Sequence, residues 1–297
     1  MAAGDTNPSI CGMSYNSARD ELFLADIANK VVRAMRVRVN AGDLRDVYRA
    51  PHDTSTYSYI RSVCHMSDSD TLLVCSTERG PDRKFAKWLV ALSRNGSEWR
   101  EAQRVQTDGE GEISCALSDS RVLICGSEIG GSTYMELFRV ESVHRIHVPE
   151  LYSYFSATCG SDTRIARVHR IHVPEAFQWF SATCGSDTLV AMSYPKTNEI
   201  PNADNSVRVH RLRGDLLEEL ARIQLNFPKQ LLWLADRLLV ADSNAVIELE
   251  VSDKRLERRR ELIATSENIS VRSLCAVNDG VAILDYNSKD ILHYSFA

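Results

Sequence analysis

Short apolar runs recur along the chain at similar spacing, and polar turn residues bound each of them. In the clearest run, Leu238–Asp242, four apolar residues are consecutive before the acid, which is typical of a strand covered on both faces. A regular period of this size indicates an array of repeated units. The third apolar residue of each run recurs at steps of 50, 50, 67, 49 and 43 residues, at Leu24, Val74, Ile124, Ala191, Val240 and Ile283.

The fourth repeat shows the elements of one unit most clearly. Polar clusters separate a short apolar segment, a fully apolar one, an alternating one and a final segment. We interpret all four as strands, at Phe180–Cys184, Thr188–Met192, Val207–Leu212 and Leu216–Ile223. The last of these, like Leu256–Ile263, would also suit an amphipathic helix. We prefer a strand because Arg145–Val148 occupies the equivalent position and is followed by Pro149.

Four antiparallel strands in 43–50 residues are the unit of a β-propeller blade, which buries both faces only by stacking on its neighbours. We therefore predict an all-β fold, a β-propeller of about six four-stranded blades in a single domain, 1–297. The expected blades are approximately 10–49, 58–106, 112–148, 178–224, 230–264 and 271–297.

Two irregularities interrupt this pattern. Residues 143–163 and 168–188 are almost identical, so the long step of 67 contains a 25-residue tandem duplication. We expect the duplicate, approximately 143–167, to form an extra hairpin or partial blade. The last repeat lacks a fourth strand, so the ring closes imperfectly, or a partner chain or a missing segment supplies the edge. A decayed or truncated repeat protein is a further alternative.

The Leu-x-Val-Ala-Asp motif, with a following Asn and Val, resembles the strand-turn signature of NHL-type, six-bladed propellers. The resemblance is good in repeats one, five and six, at Leu22–Val31, Leu238–Val246 and Val281–Asn287. Asp and Asn suit this place because their side chains bond nearby backbone N–H groups and close the turn.

Composition narrows the function classes. With 35 basic and 40 acidic residues the net charge is −5, so no overall field favours nucleic acid. The start of the sequence lacks a secretory signal and no apolar run is long enough for a membrane span, so we expect a cytoplasmic protein without membrane association. The eight cysteines form no Cys-x-x-Cys pair, and we expect free thiols.

Motifs for catalysis are absent from the sequence: there is no Gly-x-Ser-x-Gly, no phosphate-binding glycine loop and no His-Glu-x-x-His. Gluconolactonase-like propellers hold a divalent metal at the central channel, and a hydrolase or lactonase with one cation at the channel mouth is our alternative hypothesis. An Asp before each second strand suggests a carboxylate ring, but we interpret these residues as turn formers: Asp20, Asp70, Asp119, Asp187, Asp236 and Asp279.

Loop length and aromatic residues point to one end of the blades. The connection after the second strand is long in repeats two, three and four, at 76–87, 126–133 and 193–205. Aromatic residues enter the blades at the same end, and aromatic side chains beside variable loops suit protein or peptide capture. We predict a non-catalytic interaction scaffold without a cofactor, whose partner-binding residues are Tyr57, Tyr59, Trp179, Tyr194 and Phe227.

Overall fold

The computed structural model describes residues 8–37, 44–50, 57–79, 85–107, 112–116, 121–127, 133–147, 158–173, 182–186, 189–196, 204–213, 216–234, 237–252, 255–263, 269–288 and 290–296. For the strands between residues 112 and 186, and for residues 57, 68, 85 and 216, it describes the backbone alone.

Hydrogen bonds join the described strands into antiparallel sheets, five of four strands and one of three, with neighbours in space following chain order. Sheet 1 contains β1 (Ile10–Asn16), β2 (Glu21–Asp26), β3 (Val31–Arg36) and β4 (Arg45–Arg49). Sheet 2 contains β5 (Tyr57–Met66), β6 (Thr71–Arg79), β7 (Phe85–Asn95) and β8 (Glu98–Thr107). Sheet 3 contains β9 (Glu112–Ala116), β10 (Arg121–Ser127), β11 (Thr133–His147) and β12 (Thr158–Val173).

The second half of the chain repeats this arrangement. Sheet 4 contains β13 (Ala182–Ser186), β14 (Leu189–Tyr194), β15 (Ser206–Arg213) and β16 (Leu216–Gln224). Sheet 5 contains β17 (Pro228–Leu234), β18 (Arg237–Asp242), β19 (Ala245–Ser252) and β20 (Arg255–Ile263). Sheet 6 contains β21 (Val271–Val277), β22 (Gly280–Asp285) and β23 (Ile291–Ser295).

The prediction of an all-β chain built from four-stranded antiparallel sheets is confirmed. The ambiguous fourth segments are strands, because β16 and β20 pair along their lengths with β15 and β19. Within the described residues the helical structure is one 3₁₀ turn, Ser67–Ser69, and no helix there has the length and apolar character needed to cross a membrane.

The first strands of the sheets contact one another in a cycle. β1 contacts β5, β5 contacts β9, and the contacts continue through β13, β17 and β21 back to β1. Neighbouring first strands β1 and β5 run in the same direction. The Cys11 thiol lies 3.3 Å from the Ile60 carbonyl oxygen, and the His65 N–H donates to Ser14 Oγ at 2.8 Å further along both strands.

The apolar core lies between successive sheets. Phe23 and Val32 of sheet 1 pack with Ile60 and Leu72 of sheet 2, and all four are fully buried. The last sheet packs on the first in the same way, where Met13, Leu22 and Leu24 meet Cys275, Val277 and Leu284. Burial of these strand faces, at roughly 25 cal/mol per Å² of apolar surface, favours stacking of the sheets on one another.

The two copies of the duplicated sequence occupy different backbone environments. Val143–His147 of the first copy lies in β11 and pairs with Thr158–Asp162 in β12. The second copy of the same Ala-Thr-Cys-Gly-Ser segment forms β13, the first strand of sheet 4. His169–Val173 of the second copy pairs with Thr133–Leu137, the part of β11 that lies beside β10.

The long connection expected in repeat two is shorter than the sequence indicated. β6 continues to Arg79 and β7 begins at Phe85, because the ladder extends through Thr77↔Lys87 and Glu78↔Ala86. Only 80–84 remains between these strands, outside the described residues. In repeat four, Tyr194 ends β14 and Ser206 starts β15, so the connection is also shorter than expected.

The described cysteines agree with the thiol prediction. No disulfide joins Cys11, Cys64, Cys75 or Cys275 in the described part of the chain. Burial raises the pKa of the Cys275 thiol to about 12, with a smaller contribution from Cys64. A thiol that stays protonated at neutral pH is a poor nucleophile, so Cys275 acts as a core residue.

Candidate protein-interaction face

The sheets present two chemically different ends. We call the end at which first strands begin and second strands finish the loop end, and the opposite end the turn end. Pro8 and Ser9 at the loop end of sheet 1 line the same depression as Arg272, Asp285 and Tyr286 of sheet 6, so the loop ends of these sheets lie together. Turn ends also meet, since the Arg45 guanidinium of sheet 1 donates to the Ser97 carbonyl of sheet 2.

Buried aspartates at the ends of second strands fix the loop end. Asp26 is fully buried, and its Oδ1 accepts the Ser9 N–H at 3.1 Å and the Asn29 N–H at 3.2 Å. Asp242 Oδ1 accepts the Phe227 N–H at 2.5 Å. The Asp26 carboxylate therefore ties the chain entering its sheet to the turn that leaves the second strand, as the sequence predicted for turn closure. The Asp242 carboxylate holds the entering chain at the end of its second strand.

Asp285 in sheet 6 has the same role. Its carboxylate accepts backbone N–H groups from Ser270 at 2.9 Å, Asn287 at 3.1 Å and Ser288 at 3.1 Å. Burial alone would raise the pKa of Asp285, but these backbone donors outweigh it and hold the pKa below its usual value. In sheet 4 Ser193 stands in this place, and its hydroxyl donates to the Lys229 carbonyl of sheet 5 at 2.8 Å.

The five predicted partner-binding residues fall into three groups. Tyr57 begins β5 at the loop end, with its backbone described, and Trp179 lies outside the described residues. Tyr59 and Phe227 are half-buried at the same end. Tyr194 is also at this end but only 3% exposed, and its ring lies 4.1 Å below the Arg208 guanidinium carbon. The Tyr194 ring therefore packs inside the protein.

Three cation–aromatic pairs at the loop end were not anticipated from the sequence. The Arg61 guanidinium carbon lies 5.0 Å from the Tyr59 ring centroid, and the Lys229 ammonium lies 5.3 Å from that of Phe227. In sheet 6 the Arg272 guanidinium carbon lies 5.3 Å from the ring of Tyr286, a large aromatic residue that is 49% exposed.

β-Bulges in the first strands place these cations. The ladder skips Arg61 between Ile60 and Ser62, and it skips Arg272 between Val271 and Ser273. In sheet 5 the ladder resumes at Leu231 after Pro228, so Lys229 lies in the corresponding irregularity. A bulge redirects the extra side chain away from the regular alternation of the strand, and bulges are common beside functional sites. The same position in sheet 1 is Cys11.

The sequence contains a signal for these residues that periodicity does not detect. Tyr59 precedes Arg61, and Phe227 precedes Lys229, by two residues at the start of a first strand. An aromatic–x–cation pattern at equivalent places in two repeats would have identified both pairs. The sheet 6 pair would have been missed, because Tyr286 comes from the end of the second strand.

The described aspartates before second strands are turn residues at the turn end. Asp20 and Asp70 adopt left-handed backbone conformations, with φ of 54° and 43°. Asp20 Oδ1 accepts the Tyr15 hydroxyl at 2.6 Å, and Asp70 lies 3.0 Å from His65 Nε2. Asp119, Asp187 and Asp236 lie outside the described residues. The described residues contain no group of three or more His, Cys, Asp or Glu side chains placed to hold a metal ion.

Comparison with known proteins identifies the type of fold. No protein-family model matches the chain. No curated protein matches it in sequence. Solved structures match over most of the chain at low identity, and they are β-propeller-type folds.

A chain of a mitotic checkpoint complex has a TM-score of 0.53 and 9% identity, covering 96% of this chain and 88% of its own. A chain of a nidogen/laminin complex has a TM-score of 0.52 and 11% identity, covering 88% and 82%. Hydrazine synthase of Kuenenia stuttgartiensis has a TM-score of 0.54 and 10% identity, covering 100% and 99%. At such identities the likeness shows the fold alone.

Proposed function

We propose that the chain forms a closed, six-bladed β-propeller in which each of the six sheets is one blade. The cycle of first-strand contacts and the packing of sheet 6 on sheet 1 support this count. The duplicated residues extend the β11–β12 hairpin of the third blade without adding a blade of their own. An NHL-type relationship is part of the proposal, and the shared aspartate–backbone closure of repeats one, five and six supports it.

The function we propose is a non-catalytic scaffold that binds a protein or peptide at the loop end. The observation that carries it is the recurrence of partly exposed aromatic rings there on three sheets, at Tyr59, Phe227 and Tyr286. Aromatic anchors beside polar groups are enriched at protein interfaces. Two of the structural neighbours come from protein complexes, which supports protein partners in general terms. A cytoplasmic location is part of the proposal and agrees with the thiol form of the described cysteines.

The alternative function is a propeller hydrolase with one divalent cation at the channel mouth. Arg61, Lys229 and Arg272 lie on the innermost strands at the loop end, where they would repel a divalent cation. These three positive charges favour the scaffold function over the metal-dependent hydrolase. Metal analysis of dialysed protein separates the two functions, because a stoichiometric ion retained by the protein contradicts the scaffold proposal.

Affinity capture with shortened loops tests the scaffold. Residues 80–84 and 197–203 are replaced by short glycine-containing turns, which leaves Tyr194, Asn205 and the strand ladders in place. Partners identified by mass spectrometry are compared for the wild type, the shortened form and the control Leu44→Gln, whose side chain is 43% exposed near the turn end. The scaffold proposal expects loss of a partner from the shortened form alone. Retention of every partner by the shortened form contradicts it.

A further inference from the structure

The loop end carries a repeated electrostatic feature that the overall charge of the protein conceals. The chain has a net charge of −5, yet the first-strand bulges of sheets 2, 5 and 6 hold Arg61, Lys229 and Arg272. Through the first-strand contacts, these three sheets and sheet 1 form a continuous arc, since β17 contacts β21, β21 contacts β1, and β1 contacts β5. The cations therefore follow one side of the channel mouth.

Five described carboxylates at the loop end are already engaged by other donors. Asp26, Asp242 and Asp285 are buried and accept backbone N–H groups. Asp204 accepts from Arg208 and Arg222, and Glu78 from Arg104. Within the described part of the chain, no salt bridge joins Lys229 or Arg272 to a carboxylate. The positive charges of Lys229 and Arg272 are therefore not neutralised by these acids.

We propose that this arc binds an acidic peptide segment that also carries apolar side chains. The inference rests on the proposed scaffold function and specifies the chemistry of its partner. Cations supply charge-assisted hydrogen bonds to carboxylates, and the adjacent rings of Tyr59, Phe227 and Tyr286 supply apolar contact area. A nucleic acid is a poorer fit, because the negative net charge of the protein repels a long phosphate backbone.

The spacing of the cations suits an extended peptide. The first strands of neighbouring sheets 5 and 6, which carry Lys229 and Arg272, are in contact. An extended chain rises about 3.3 Å per residue, so carboxylates about two to three residues apart on one extended peptide can reach cations on adjacent first strands. The arc ends on sheet 2 after passing Cys11 of sheet 1, where no cation occupies the bulge.

Fluorescence anisotropy tests the proposal with a fluorescein-labelled peptide of Glu-Phe-Ser repeats at low ionic strength. The wild type is compared with the triple variant Arg61→Gln, Lys229→Gln and Arg272→Gln. A matched control, Arg100→Gln, Arg213→Gln and Arg255→Gln, removes the same charge from exposed side chains near the turn end. The expected result is a loss of affinity of about tenfold or more in the loop-end variant and of about twofold or less in the control. Circular dichroism melts of all three proteins verify folding.

Several outcomes overturn the inference. It fails if the wild type does not bind the Glu-Phe-Ser peptide, or if the two triple variants lose affinity equally. It also fails if a Lys-Phe-Ser peptide or an oligothymidylate binds more tightly than the acidic peptide. If shortening 80–84 and 197–203 removes a cellular partner while the loop-end triple variant retains both that partner and the peptide, the scaffold stands and the acidic-ligand inference falls.

Discussion

Glu21 of sheet 1 and Arg94 of sheet 2 form a buried ion pair, with 2.8 Å between Oε2 and Nη1 and side-chain exposures of 7% and 9%. Arg45 also contacts the Glu21 carboxylate. Burial raises the pKa of Glu21, but the hydrogen bond and charge of Arg94, with that of Arg45, outweigh burial and lower the pKa. The pair locks two sheets together at the turn end, away from the proposed binding arc.

Glu21→Gln is expected to lower the free energy of unfolding by about 2–4 kcal/mol, because it leaves the Arg94 charge buried without its partner. The lowered pKa means that the wild-type contribution is complete above the usual carboxyl range and is lost as the pH falls through the folded-state pKa. Urea unfolding at several pH values measures this contribution to the free energy of unfolding. The control Glu98→Gln breaks an exposed pair and should have little effect. A Glu21→Gln protein as stable as the wild type would refute a locking role.

Asp242→Ala is expected to lower the free energy of unfolding by about 2–3 kcal/mol, since the N–H of Phe227 loses the buried carboxylate that accepts it. Asp242→Ser should cost less, because serine stands at this position in sheets 2 and 4. Asp290→Ala, at an exposed residue of the turn after β22, serves as the control. Thermal melts rank the three variants, and equal melting temperatures for the Asp242 and Asp290 alanine variants would count against the closure role.

Local chemistry explains which features could be predicted from the sequence. The Asp26 closure follows from a side chain that bonds the backbone three residues away, so a repeated motif was enough to predict it. The bond from the Phe227 N–H to Asp242 spans 15 residues and is not local in this sense. The burial of both faces of a strand was also predictable. Every residue of β2 is buried, as its continuous apolar run implied.

The proposed binding arc could be predicted only in part, because it also depends on register and on contacts between sheets. Whether Arg61 is bulged is decided by the pairing of Ile60 and Ser62 with β6, which no single segment encodes. The burial of Tyr194 is a second feature that was not visible in the sequence. It stands beside a polar loop in the sequence, but its ring is buried under Arg208 on the adjacent strand.

Deletion of residues 143–167 is expected to leave a cooperatively folding protein. The remaining copy still supplies His169–Val173, which already pairs with Thr133–Leu137. The deletion removes only the far part of the β11–β12 hairpin. Differential scanning calorimetry should give a single transition whose midpoint lies within a few degrees of the wild-type value. Such a shift corresponds to a change of about 1 kcal/mol in the free energy of unfolding.

A shifted deletion of equal length, 133–157, is the control for this prediction. It removes β11, the partner of β10, and should abolish cooperative unfolding. Loss of the transition in the 143–167 deletion as well would show that the duplicated segment is essential to the fold.

Because of His210, we expect the stability of the protein to vary with pH in the mildly acidic range. Burial lowers its pKa to about 4, against the opposing charge of Glu219, so the folded protein holds the ring neutral while the unfolded chain protonates near pH 6.5. The free energy of unfolding should therefore fall by about 2–3 kcal/mol between pH 6.5 and pH 4. His210→Gln should flatten this part of the profile. Parallel profiles for wild type and His210→Gln would exclude the assignment.

Photo-crosslinking from two matched surface positions is the most direct measurement of partner binding at the loop end. A benzophenone amino acid replaces Tyr286 at the loop end or Leu44 near the turn end, which are similarly exposed at 49% and 43%. If the loop end binds the partner, irradiation of the protein in cell extract gives a defined crosslinked partner from position 286 and none from position 44. Crosslinking from position 44 alone, or equally from both positions, would contradict the account.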